Sequence, residues 1–240
     1  MAKKTTEPVV ITGVKRDFIG FTLYGLSHWI PEKFPQSVID KMVRDQTGGK
    51  VPTKGAKEPR DPDRERFESL HLLPARNKAE EKHDKSAWLK RLGMPSVAVK
   101  QSAVNAARFT EMSMVEARGM MFFEAHPDDP EGMLLRVEAD DLVERTDIVR
   151  VGNARTAMPA FRYGIVNPRV EGVVSFPSNM LNAQSVANLL TMAGELVGVM
   201  GWRPLGVKGT GPFGRYRIEL KELPKMSGPW TDSFKKRKIL

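Results

Sequence analysis

Apolar positions along this chain follow two periods. Over 182–200, Val186, Leu189, Leu190, Ala193, Val197 and Met200 recur at helical spacing, and Asn182 is placed to cap the first turn. A second helix is predicted in "MPSVAVKQSAVNAARF". Pro95 and Ser96 give a start signal there, and Val97, Ala98, Ala103, Val104, Ala106 and Ala107 make a small-residue face suited to tight packing on a sheet. A third lies in "PQSVIDKMVRDQ", with Pro35 at the first turn and Val38, Ile39, Met42 and Val43 as its stripe. Strict alternation marks the strands. "RVEGVVSFPS" sets Val170, Gly172, Val174 and Phe176 on one face, and "GRYRIEL" reads the same way near the C-terminus. Val9–Val14, "VVITGV", is the first strand candidate. "FESLHLLPAR", "GMMFFEAH", "MLLRVEAD" and "DIVRVGNARTAMPAFRYGIVNP" supply others, with "PDDPEG" as a hairpin turn between the second and third of these.

The second half therefore runs strand, strand, helix, glycine-rich loop, strand, and the first half has a similar but interrupted order. The interruption is 47–66, "TGGKVPTKGAKEPRDPDRER", where glycine, proline and charge displace apolar residues and predict a flexible insertion. Lys50, Lys54 and Lys57 would arm such a segment for an anionic partner. The segment from 224 to 240 reads as a solvated basic tail, with Lys235 to Lys238 at its end.

Charge adds to this picture. A formal net charge of +9 over 240 residues favours polyanionic partners. The chain has no cysteine, which excludes disulfides, thiol catalysis and thiolate metal sites. No apolar run approaches the roughly 18 residues needed to span a bilayer, and "MAKKTTEP" lacks a signal-like apolar region, so a cytoplasmic protein is expected, with no membrane partner. Catalytic chemistry finds little footing. His28, His71, His83 and His126 form no i,i+3 or i,i+4 pair, and "HPDDPEG" and "EADDLVER" read as a turn and an acidic helix start. No metal or cofactor is expected. His28, beside Trp29 and near Tyr24, is the one general-base candidate.

The glycine-rich stretch "GWRPLGVKGTGPFGRYRIEL" has the wrong spelling and the wrong order for a P-loop or a dinucleotide fingerprint, because both of those open a helix from a strand. What remains is a backbone able to approach a ligand at Gly209, Gly211 and Gly214, with cations at Arg203, Lys208, Arg215 and Arg217. Phe213 and Tyr216 offer faces for base stacking, and Trp202 reads as an anchor to the core.

These residues also carry a resemblance. "LLTMAGELVGVMGWRPLGVKGTGPFGRYRIEL" is similar to the C-terminal signature of a group of phage-encoded proteins of unassigned function, in which a helix leads to G-[DE]-[WF]-R-P, a glycine-rich loop and G-R-F. "DIVRVGNARTAMPAFRYGIVNPRVEGVVSF" and "MPSVAVKQSAVNAARF" resemble the preceding parts of that group. The match covers most of 94–220 and, more loosely, Val9 to Phe34. The group in turn resembles the RAMP superfamily, the RNA-binding subunits of CRISPR complexes, which are built from one or two ferredoxin-like βαββαβ units. Two features depart from the pattern: the chain has "MGWRP" where an acid commonly precedes the aromatic residue, and the 47–66 insertion has no assured counterpart.

The resemblance and the pattern together give one expectation. The fold is α+β, a single RAMP-like domain over 1–240 made of two ferredoxin-like halves, about 8–125 and 126–222, with antiparallel sheets and helices packed on one face. The function is non-catalytic binding of single-stranded nucleic acid, RNA or DNA, by a phage protein in the host bacterial cytoplasm, as a homo-oligomer or within a larger assembly. A RAMP-type metal-independent endoribonuclease using His28, and a structural virion or filament subunit, stand as alternatives.

Overall fold

The computed structural model describes residues 13–47, 60–151, 156–206, 211–226 and 228–236. Its first strand is β1, Arg16–Gly25. This lies beyond the Val9–Val14 window expected from the sequence, of which residues 9–12 fall outside the described residues. Phe21 and Leu23 are fully buried on one face of β1, while Thr22 is fully buried on the other. A strand covered on both sides has no polar face, and its alternation is hidden.

Three helices and two short strands follow: α1 (Gln36–Gln46), α2 (Pro62–Glu68), β2 (His71–Leu72), α3 (Lys85–Leu89) and β3 (Leu92–Pro95). Helix α1 forms where its stripe predicts, yet Val38, Ile39, Met42 and Val43 face solvent. Helix α2 occupies the last part of the segment read as an insertion. The Asp61 carboxylate caps it by accepting from the N–H groups of Asp63 and Arg64, Pro62 starts the first turn, and Arg64–Glu68 and Asp63–Arg66 ion pairs brace it.

Next come α4 (Ser96–Ala106), α5 (Met114–Met120), β4 (Phe122–Glu124), β5 (Leu134–Glu138), β6 (Asp141–Val151), β7 (Thr156–Val166) and β8 (Arg169–Pro177). The chain closes with α6 (Ala183–Met192), β9 (Tyr216–Lys221) and α7 (Gly228–Lys236). Helix α6 begins as expected, with the Asn182 side chain accepting from the Ser185 N–H. Every apolar position expected on its core face is buried, from Val186 to Met200.

The main sheet runs β2-β3-β5-β8-β1-β9, with β4 also paired to β8. Taking β4 and β5 as one interrupted strand, the order β9-β1-β8-β4/β5 with α4 and α6 as crossovers is the antiparallel 4-1-3-2 arrangement of a ferredoxin-like βαββαβ unit. The protein is α+β, and α4 and α6 pack on the same face. Tyr216 of β9 points to that face and meets Ser102 of α4 through its hydroxyl at 3.4 Å. Helix α7 covers the opposite face. There Phe234 meets Phe18 in a tilted arrangement at 5.8 Å and Trp230 meets His126, so part of the segment read as a solvated tail is core.

Three local readings take a different form. The βαββαβ order is drawn from both sides of residue 125, because β1 lies between β8 and β9 and the sheet joins the two halves. "PDDPEG" is an excursion inside the interrupted strand rather than a hairpin, since β4 and β5 both pair with β8. Asp129 closes it by accepting from the N–H groups of Met133 and Leu134 at 2.7 and 2.6 Å. "DDLVER" begins β6 instead of a helix, and β6 pairs with β7 over their full length as a separate two-stranded ribbon.

Among the described residues no helix is long and apolar enough to cross a membrane. One pH response follows from the fold. Burial, reinforced by the nearby Lys33 charge, lowers the His71 pKa to about 4. Burial lowers that of His126 too, opposed in part by Asp128. Between the ordinary histidine value and that lowered one, the unfolded chain binds a proton that the folded chain refuses. Stability therefore falls as pH drops through that window. Thermal midpoints measured across it are expected to decline less in a His71→Gln variant than in the wild type.

Candidate nucleic-acid interface

The polypeptide leaving α6 makes one wide turn over Ala193–Val197 and enters the glycine-rich loop. Four backbone hydrogen bonds tie this loop to the segment that follows β1 and to itself. The Gly201 N–H donates to the Ile30 carbonyl, Gly214 N–H to His28, Leu26 N–H to Arg215 and Val199 N–H to Gly214, each at 2.9 Å. Phe213 and Gly211 donate to the carbonyls of Trp202 and Arg203, both at 3.3 Å. Gly214 adopts φ of 74°, and a Cβ there would lie 2.0 Å from the Val199 carbonyl oxygen. At Gly211 one would lie 2.2 Å from that of Trp202. Both glycines are thus required where the loop folds onto its own backbone. Met200 and Trp202 also take left-handed φ, at 59° and 54°. Such residues store strain, and here they are held by the surrounding bonds.

The expected cations separate. Arg203, half-buried, spends its guanidinium on its own loop, donating from Nη1 to the Met200 carbonyl at 3.1 Å and from Nε to that of Leu205 at 3.4 Å. Arg215 pairs with Glu195 in the wide turn that follows α6. Its backbone N–H donates to the Ser27 hydroxyl, and its carbonyl accepts from the Trp29 indole at 3.2 Å. Arg217 lies on the other face of the sheet, exposed, with its guanidinium 4.8 Å from the centre of the Tyr24 ring. Glu219, Arg169 and Glu171 share that surface, so it is mixed in sign. Lys50, Lys54, Lys57, Lys208 and Gly209 lie outside the described residues.

Of the two rings expected to stack on bases, Tyr216 cannot. It is fully buried, 6.5 Å from Trp29 in an edge arrangement, and burial raises the pKa of its phenol above the ordinary value. Phe213 is partly exposed, with the Arg145 guanidinium 4.5 Å from its ring centre.

Arg145 brings in an element that sequence reasoning missed, the β6–β7 ribbon. Arg145 and Arg162 stand opposite each other in its register, on the face turned toward the loop. Arg145 is paired with Asp147 at 2.8 Å, and Arg162 reaches Glu32 at 2.7 Å. His28 sits between loop and ribbon, its Nδ1 3.4 Å from where a Gly164 Cβ would be. Its ring makes no hydrogen bond among the described residues, so no partner orients it as a base. Alternation in "ERTDIVRV" and "AFRYGIV" was the available signal for this face. Loop, ribbon and the 26–32 segment together bring arginine, histidine and phenylalanine side chains to one edge, with carboxylates holding several of the arginines in place.

No family model matches the chain, and no curated protein matches it. Among solved structures it is similar to a chain in the cryo-electron microscopy structure of the Type III-B Cmr-beta bound to cognate target RNA, at 7% identity and a TM-score of 0.43. The likeness covers 85% of this chain and spans 61% of the length of that one.

Proposed function

We propose that this protein binds single-stranded nucleic acid, RNA or DNA, along the backbone and without catalysis. It would do so as a phage-encoded RAMP-like subunit working in an oligomer or larger assembly in the bacterial cytoplasm. The reading rests on one observation: the half-exposed Phe213 ring lies beneath the Arg145 guanidinium at the rim of the glycine-rich loop. A ring for a base beside a cation for a phosphate is the pairing that sequence-tolerant strand binding uses. The +9 charge of the chain supplies the long-range attraction. The solvent-facing stripe of α1 supports the assembly part of the reading, since an apolar helix face that no described residue covers calls for a partner.

The test is fluorescence anisotropy with labelled single strands of RNA and DNA at low salt, with the mass of the complex measured in parallel. Wild type is expected to bind with a steep salt dependence and to form complexes at multiples of the 26.9 kDa chain. Phe213→Ala is expected to weaken binding by about 1–3 kcal/mol while leaving the salt slope unchanged, because the ring contributes stacking and no charge. Absence of salt-sensitive binding to either strand type would sink the reading.

A further inference from the structure

At the far end of β1 from the glycine-rich loop, two cations meet at one ring, with a third nearby. Phe122 is 46% exposed at the start of β4. The Arg16 guanidinium lies 4.5 Å from its ring centre and the Lys100 ammonium 4.3 Å from it. Arg118, exposed on α5, is close enough to act on Lys100 by charge. Arg16 is fixed in this position. Its Nη2 donates to the carbonyls of Met120 and Ser175, both at 2.9 Å, while its Nε and Nη1 make no hydrogen bond among the described residues. Lys100 and Arg118 have no ion pair with any described residue. Burial, together with repulsion from Arg118 and Arg16, holds the Lys100 ammonium below the usual lysine range. Like charges brought together at a fixed ring, with donors left over, form a site that an anion would relieve.

We propose that Arg16 and Lys100 at the Phe122 ring, with Arg118 adding to the local positive charge, form a second anion site, one that takes a phosphate group. The ten residues of β1 place it roughly 30 Å from the glycine-rich loop by strand rise. A nucleic-acid strand lying along the molecule would meet both places, and to that extent the inference rests on the function proposed above. A free phosphate or nucleotide is the other source of the same chemistry.

The test uses the full chain carrying Lys100→Gln and Arg118→Gln together. These substitutions keep polar stems at surface positions and remove a repulsion, so the thermal midpoint is expected to equal or exceed that of wild type. A labelled single strand of about 20 nucleotides, longer than a single-fold site, is titrated at several salt concentrations. Inorganic phosphate is titrated separately and followed by the amide shifts of 98–102 and 120–124. The double variant is expected to bind the strand about tenfold more weakly, with a salt slope shallower by about 1.4 for two lost phosphate contacts. It is also expected to lose a saturable phosphate response seen in wild type. A control variant, Lys225→Gln, removes a cation whose partner is Glu222 and is expected to bind the strand as wild type does. Loss of the phosphate response with unchanged strand binding would assign the site to free phosphate or nucleotide. An unchanged response in both titrations, or an equal loss in the control, would overturn the proposal. If wild type bound no strand at all, the proposed function would fail while the phosphate titration still decided this site.

Discussion

Alanine at Gly214 is expected to cost about 2–5 kcal/mol of stability, one of two large effects expected around the glycine-rich loop. Two penalties combine. An L-residue at φ of 74° gives up roughly 1–2 kcal/mol. The added methyl would also sit 2.0 Å from the Val199 carbonyl oxygen, and since that atom is backbone it cannot swing aside. Forced accommodation of this kind costs about 1–3 kcal/mol more. Any shift that relieves the contact breaks the bonds that Gly214 makes in both directions, to His28 and from Val199. Urea unfolding reads the effect as a lower midpoint at an unchanged slope. Gly119→Ala is the matched control: it lies within α5, a Cβ there meets nothing within 4 Å, and it is expected to stabilise by about 0.5–1 kcal/mol. A Gly214→Ala midpoint equal to wild type would mean that the loop does not fold as described.

That outcome bears on how much of the molecule was legible from its sequence. Helix α6 could be read because all its information is local, with a capping asparagine and an apolar stripe that faces one sheet. Strand β8 could be read because Val170, Gly172, Val174 and Phe176 alternate with Glu171 and Ser175, although its other face, with Val173, is buried as well. Strand β1 could not, since Phe18 and Thr22 are covered on one face while Phe21 and Leu23 are covered on the other. Helix α2 was hidden in a charged segment because its cap and ion pairs stabilise it without an apolar stripe. Helix α7 was hidden because Trp230 and Phe234, spaced one turn apart, are separated by polar residues and followed by lysines. The site was less legible than the fold. The loop's glycines suggested an open approach to a ligand, but at Gly211 and Gly214 they serve the loop's contact with its own backbone. Arg203 and Arg215 looked like free charge until folding brought carbonyls and Glu195 to them. Arg145 meets Phe213 only because the β6–β7 ribbon folds back across the molecule, a contact that leaves no local trace in the chain. Composition could state the excess charge, and only the topology could show where it gathers.

The second large effect is expected at Trp29, on which three of these elements depend. Its indole is fully buried and packs against Tyr216, and its Nε1–H donates to the Arg215 carbonyl at the entry to β9. Its own backbone exchanges hydrogen bonds with Ile165 of β7 at 3.1 and 2.8 Å. One residue therefore joins the end of β1, the β6–β7 ribbon and the glycine-rich loop. Trp29→Ala is expected to cost about 3–5 kcal/mol, the range for emptying a buried tryptophan site. Trp29→Phe keeps most of the ring and loses the N–H, so about 1–2 kcal/mol is expected, near the value of one hydrogen bond plus a small cavity. Amide exchange distinguishes this local role from general core packing. If Trp29 holds the three elements together, the N–H groups of Ile165 and Gly214 should exchange faster in Trp29→Phe while those of α6 stay protected. Strand binding should then weaken in the same variant although no cation has been removed, because the distance from Phe213 to the ribbon is no longer fixed. If exchange were uniform across the sheet and strand affinity unchanged, Trp29 would be an ordinary core residue, and the loop and ribbon would be held in register by something else.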